Sequence, residues 1–211
     1  MQKKLIIAID GPSASGKGTI AKLLAKKFNI PHLDTGKLYR AVGYKAFNTN
    51  INPDDEKNIA KLCEIAKNLT LDDLNNPEIS SEQMGAEAAK VAKIQAIRDA
   101  LLDYQRNFAN QENGAVLDGR DIGTVICPNA DYKFFITATA EERANRRFKD
   151  EQNRKSNTSY EEVLKKIQER DEKDMNREAS PFKKADDAVL IDTTTKSIDE
   201  VFDFIVKIIV D

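Results

Sequence analysis

Five short apolar runs punctuate a chain that is otherwise written at helical spacing: residues 5–9, 32–34, 115–118, 132–136 and 188–192. Each is brief and mostly apolar, and helical pattern separates it from the next. That alternation predicts an α/β fold with a parallel sheet covered on both faces. Helix starts are marked by Thr139 with Glu142 three residues on, and by Ser197 with Glu200 before a helix over 201–210; both have the spacing of a capping box. Residues 35–97 interrupt the alternation with Pro53, Pro77 and the polar run 72–76, and predict an inserted, mostly helical subdomain. A second polar stretch, 149–157, is glycine-free and strongly charged; it reads as a lid between two helices. No repeat, low-complexity run or transmembrane segment interrupts the pattern.

Helical phase places several charged residues. Over 85–108 one stripe runs Ile94, Ile97, Leu101, Tyr104, Phe108, with Arg98 on its edge. From that edge a guanidinium either snorkels to solvent or enters a wet cleft. In a later helix the face Val163, Ile167 continues in register as Arg170, Asp174, Arg177, turning from apolar to ionic without losing phase. It is either a solvated ion-pair ladder or the wall of an arginine- and aspartate-lined cleft. Arg143, Arg146 and Arg147 share one face of the helix that starts near Thr139. They either pair with Glu141 and Glu142 or compensate charge on a transferring phosphoryl group, which a planar guanidinium fits.

The most specific chemistry follows the first apolar run. Gly11-Pro12-Ser13-Ala14-Ser15-Gly16-Lys17-Gly18-Thr19 joins that strand to a helix-like stretch, the order that builds a phosphate-binding loop. Its amides turn around phosphate oxygens, and the helix behind offers free N–H groups and about half a positive charge. Lys17 adds a full charge within reach of β and γ phosphates. Asp118 ends the run Ala115-Val116-Leu117 and can organise Mg²⁺ or its waters there, or simply cap a loop. Asp10 can do the same or hold the loop's backbone.

Composition narrows the partners. The 211 residues suit one domain with inserted subdomains. Thirty-three basic against 35 acidic residues leave a net charge of −2, with no global attraction for nucleic acid or anionic membrane. The first apolar run is too short for a signal peptide or a membrane span, so a cytoplasmic location is expected. Cys63 and Cys127 stand far apart, which argues against zinc or a disulfide framework, and the single histidine, His32, reads as structural.

The chain closely resembles the bacterial cytidylate kinases, among the nucleoside monophosphate kinases. The resemblance rests on IDGPSASGKGT at 9–19, LDTGKLYRA at 33–41, LDGRDIGTVICPNA at 117–130, EERANRR at 141–147, ERDEKDMNREASP at 169–181 and DTTTKSIDEV at 192–201. Gly18 stands where the usual loop has a Mg²⁺-binding hydroxyl, and this GKGT variant is one that family shares. The resemblance implies a P-loop NTPase fold: a five-stranded parallel sheet with helices on both faces, a nucleotide-monophosphate-binding insert and a lid. The core would cover about 1–34, 98–147 and 159–211, the insert about 35–97 and the lid about 148–158. The implied reaction is ATP-dependent phosphorylation of CMP or dCMP with Mg²⁺, in a monomer needing neither nucleic acid nor membrane.

Residue by residue, the resemblance implies that Gly11 to Thr19 hold ATP. Lys17, Asp118, Arg143, Arg146 and Arg147 would serve transfer, with Mg²⁺ carried by ATP phosphates and waters near Asp118 and Asp10. Arg40 would bind the acceptor's phosphate, beside Tyr39. Thr35, Arg98 and Asp121 would face cytosine, Arg170 and Asp174 the sugar, and Arg177 the base or acceptor phosphate. Two departures stand out. Residues 69–80 are too short for the small β-sheet that many bacterial members insert, and Ala89 replaces a serine nine residues before Arg98. A kinase for UMP, AMP or shikimate is the nearest alternative. A GTP-binding switch would need an Asn-Lys-x-Asp or Thr-Lys-x-Asp segment, and the chain has none.

Overall fold

The computed structural model describes residues 4–153, 157–176 and 180–211. β1 (Leu5–Asp10), β2 (His32–Asp34), β3 (Gly114–Gly119), β4 (Tyr132–Thr137) and β5 (Val189–Asp192) form one sheet in the order β2-β3-β1-β4-β5. Its strands are parallel, β1 pairing with β3 from Leu5 opposite Gly114 to Asp10 opposite Gly119, and with β4 from Ile7 opposite Tyr132. These are the five apolar runs of the sequence. β1 connects toward one side of the sheet and β3 toward the other, so their carboxyl ends flank a topological switch point, where open α/β sheets bind ligands.

The chain divides into two compact units, residues 1–32 with 109–211, and residues 33–108. In the first unit the sheet is covered by α1 (Lys17–Phe28) and α9 (Ile198–Val210), with α7 (Ala140–Asn153) and α8 (Tyr160–Met175) packed on each other. Its core joins Ile7, Ile9, Ile20, Leu24, Val116, Phe134, Ile136, Ile191 and Ile205. Burial of such side chains contributes roughly 1.5–3 kcal/mol each. The Ser197–Glu200 capping box forms in full at α9. At α7 only half forms: Glu142 N–H donates to Thr139 Oγ1 at 3.2 Å. The reciprocal arm is taken elsewhere, because Glu142 accepts from Arg146 Nε and Thr139 N–H donates to Thr194 Oγ1.

The second unit is helical. α2 (Thr35–Asn48) meets α3 (Ile59–Lys67), α4 (Leu71–Asn75), the 3₁₀ turn Pro77–Ser80 and α5 (Glu82–Val91); α6 (Gln95–Ala109) ends one residue past Phe108, the last residue of this unit. The short segment 69–80 folds as α4 and the 3₁₀ turn, with no strand. Thr70 and Asp73 form a capping box on α4, and Asn76 and Ser81 cap the turn and α5.

Two sequence expectations are corrected here. The stripe over 85–108 is two helices, broken at residues 92–94. The break contains neither glycine nor proline; it is marked by Arg98, whose Nη1 donates to Ala92 O at 3.1 Å and so satisfies a terminal carbonyl of α5. Residues 149–153 are the last turn of α7 rather than connection, because a charged run with Lys, Glu and Gln is a good helix former. Residues 154–156 of the expected lid lie outside the described residues. So does Arg177, and α8 itself stops at Met175.

Candidate active site

The loop after β1 is built by backbone geometry. A Cβ on Gly11 would stand 2.1 Å from Ile136 O, so only glycine fits between β1 and β4. Ala14 (φ 59°) and Gly16 (φ 88°) are both left-handed, and such alternation turns successive N–H groups into one concavity. Gly16 is the N-cap of α1 and offers no side chain to it, and no acidic residue occupies the first turn. The helix therefore keeps its N-terminal donors and its dipole for an anion. Ser15 is 1% exposed, and among the described residues its Oγ has no hydrogen-bond partner. A buried hydroxyl in that condition suits a phosphate oxygen. Lys17 Nζ arches back to Pro12 O at 3.1 Å.

Two of the three arginines on α7 hold this loop from outside. Arg143 is 5% exposed; it donates to Ala138 O, to Ser13 O at 3.4 Å and to both carboxylate oxygens of Asp171 on α8. Arg146 reaches Ser15 O at 3.3 Å and both oxygens of Thr193, whose hydroxyl also donates to Ser15 O. The pairing with Glu141 and Glu142 that the sequence left open is realised at Arg146 through Glu142, whereas Arg147 binds Glu151 one turn along. Ala14 packs on the apolar contact of α7 with α8, formed by Ala144, Val163 and Ile167.

The carboxylates divide their work. Asp10 accepts from the Ile122 and Gly123 amides, each at 2.8 Å, and holds the π-helical turn Ile122–Ile126 against the sheet. Burial pushes its pKa up to about 6, against the downward pull of those two amides. Asp10 therefore holds the turn after β3, a segment the sequence reading did not connect with it. Asp118 is 3% exposed; its Oδ1 accepts from His32 Nε2 at 2.6 Å, and its Oδ2 lies 3.8 Å from where a Cβ on Gly18 would stand. Asp121, also buried, opens the π turn, its carbonyl accepting from Val125 and Ile126. Asp174 on α8 accepts from Arg120 Nε at 2.8 Å, and the Arg120 guanidinium lies over Phe182. Arg170 is half-buried on the same helix.

The second unit holds its own cluster. Thr35 is buried at the first turn of α2. Arg40 Nη1 donates to Ile79 O and Ser81 O, both at 2.8 Å, beside Gly85. Arg98, 6% exposed, lies over the Tyr39 ring at 5.4 Å. Arg98 does not snorkel to solvent; its guanidinium is held between the Tyr39 ring and Ala92 O. The structure thus gathers the loop, Lys17, Asp118, Arg143 and Arg146 in one unit, and Thr35, Tyr39, Arg40 and Arg98 in the other.

Sequence reasoning missed Asp171, Thr193 and Arg120 and read His32 as merely structural. Asp171 could have been found, four residues past the buried Ile167 and one beside Arg170. The others meet partners that helical phase cannot indicate.

Comparison with known proteins bears on this geometry. The family model described as cytidylate kinase matches residues 7–211. A cytidylate kinase of Clostridioides difficile is 45% identical over 210 residues, covering 96% of this chain and 97% of its own. One from Fusobacterium nucleatum is 46% identical over 213 residues, with 96% of each covered. Among solved structures, an uncharacterized protein from Eubacterium ventriosum superposes with a TM-score of 0.55 at 19% identity, covering 98% of each chain, a likeness of fold.

Proposed function

The chain belongs to the cytidylate kinase family, and from that premise we propose that it transfers the γ-phosphoryl group of ATP to CMP or dCMP, releasing ADP and the cytidine diphosphate. The observation that carries the assignment to residues is the loop after β1. It combines left-handed turns, an uncapped helix start and a buried, unpartnered Ser15 hydroxyl, with Arg143 and Arg146 anchored on its carbonyls.

Gly11 to Thr19 receive the donor phosphates. An oxygen of the acceptor phosphate attacks the γ phosphorus in line, and the bond to the β–γ bridging oxygen breaks. No covalent enzyme intermediate is required; positioning and charge stabilisation suffice. Lys17 and the loop amides hold the β and γ oxygens, and Arg143, Arg146 and Arg147 provide the guanidinium charge around the transferred group. Arg40 takes the acceptor's phosphate, and Tyr39 orders the wall on which Arg98 rests. Asp121 accepts from cytosine's exocyclic amine, while Arg98 and Thr35 serve its ring acceptors. Uracil would set a carbonyl against Asp121, and a site built on such hydrogen bonds rejects the mismatch strongly. Arg170 and Asp174 serve the sugar; Arg120 fixes the orientation of Asp174. Arg177, assigned to the base or acceptor phosphate, belongs to the same set.

The residues present fit a nucleotide-borne Mg²⁺. In this reading ATP phosphates and waters would supply the ion's ligands. The buried carboxylate of Asp118 lies against the start of α1, while Asp10 gives both oxygens to amides; we therefore place the ion's waters beside Asp118. Bound with ATP, Mg²⁺ neutralises phosphate charge and fixes its geometry. In this reading residues 35–97 are the monophosphate-binding insert and 148–158 the lid of a cytoplasmic monomer. Among the described residues no helix is long and apolar enough to cross a membrane.

The test is ADP production from ATP and Mg²⁺ with CMP, dCMP, UMP, AMP or no acceptor. Turnover with the cytidine nucleotides and little without acceptor is expected. ATP hydrolysis indifferent to acceptor would overturn the assignment.

A further inference from the structure

We infer that His32, the only histidine of the chain, is a positioning residue for phosphoryl transfer: it orients the Asp118 carboxylate toward the metal-bound donor nucleotide. The inference rests on the placement of Mg²⁺ waters beside Asp118. It is carried by one contact and its surroundings. His32 Nε2 meets Asp118 Oδ1 at 2.6 Å, with the two side chains 15% and 5% exposed. An ionised carboxylate has no proton to give, so Nε2 donates.

The two residues stand on neighbouring strands at the switch-point side of the sheet. The edge is fixed locally, since Val116 N–H donates to Pro31 O at 2.8 Å, one residue before His32. A bond to Oδ1 in that frame sets the carboxylate's rotation. It directs Oδ2 to the first turn of α1, where Gly18 adds no side chain and Lys17 precedes it. Partners of this kind, which orient a group around a metal without touching the ion, typically change metal affinity or activity 10–100-fold when removed.

The experiment compares His32→Leu, which cannot donate, with His32→Gln, which retains a donor on a flexible stem. Asp118→Asn is carried alongside. Binding of ADP to each protein is measured calorimetrically with and without Mg²⁺, together with kcat, the KM for CMP, the Mg²⁺ requirement of turnover and a thermal melt. In His32→Leu the Mg²⁺-dependent gain in ADP affinity should shrink, the Mg²⁺ requirement should rise and kcat should fall about 10–100-fold. The KM for CMP and metal-free ADP binding should stay near the parent values. His32→Gln should recover much of the loss. A folded His32→Leu protein with the parent's metal-dependent gain and kcat would overturn the inference. So would losses in metal-free ADP binding equal to those with metal, since that is the mark of a structural role. If the Leu variant fails to fold, His32→Phe, planar and without a donor, gives the same comparison. An Asp118→Asn protein with unaltered metal dependence would instead refute the placement of the ion beside Asp118.

Discussion

At Gly11 the fold tolerates no side chain at all, because a methyl group would overlap Ile136 O at 2.1 Å. Gly11→Ala should therefore separate β1 from β4 at the mouth of the loop, costing several kcal/mol in urea unfolding and most nucleotide binding. Asp10 gives a prediction in pH. Its carboxyl is raised from 3.8 to about 6 by burial, so between those values the folded state holds a proton that the unfolded state has lost. The contribution of this group to stability is then largest below about pH 4 and declines as pH rises through 6, by on the order of 3 kcal/mol. Urea midpoints measured across that window should show this slope, and Asp10→Asn should remove it. The loop was legible because its nine residues are contiguous and Gly11 and Gly16 each answer a local demand. Asp171, His32 and Thr193 were not, because they meet Arg143, Asp118 and Ser15 across 28, 86 and 178 positions of sequence. Periodicity registers which face of an element a residue takes, and nothing of what the fold brings to that face.

Among the elements, one ion pair ties α7 to α8, and its arginine also reaches the loop after β1. Arg143 is the more deeply buried partner, its side chain 6% exposed against 15% for Asp171. Removing the carboxylate leaves a buried cation uncompensated, a change that costs about 3 kcal/mol or more. Asp171→Asn should lower the melting temperature. Since Arg143 also holds Ser13 O, it should also raise the KM for ATP more than that for CMP. A lowered melting temperature with an unchanged KM for ATP would show the pair to be structural alone. Ser197→Ala removes a complete capping box and should cost about 1 kcal/mol, with activity retained. The same motif was readable at both helices, yet only at α9 did both arms form. At α7 the glutamate had a guanidinium within reach, and a charge-assisted bond outcompetes a second amide.

At the scale of the whole molecule, Arg98 lies in a different unit from the loop after β1, so its replacement tests acceptor binding apart from ATP binding. Arg98→Met, in the unit spanning 33–108, should raise the KM for CMP roughly 10–100-fold, the worth of a charged hydrogen bond. Binding of ATP should be unchanged; an equal loss of ATP affinity would contradict the assignment. The sheet was legible from five apolar runs, whereas the break between α5 and α6 was not, because Arg98 caps it from a distance of six residues. The strand order has a consequence in time as well as in space. β1 is the first strand made and the central one, yet its neighbours are Gly114–Gly119 and Tyr132–Thr137. During synthesis it must wait for more than a hundred residues before either partner leaves the ribosome, while the helices of 33–108, whose contacts are mutual, can already assemble. The unit spanning 33–108 is thus expected to exist as a folded body before the chain has made either partner of β1.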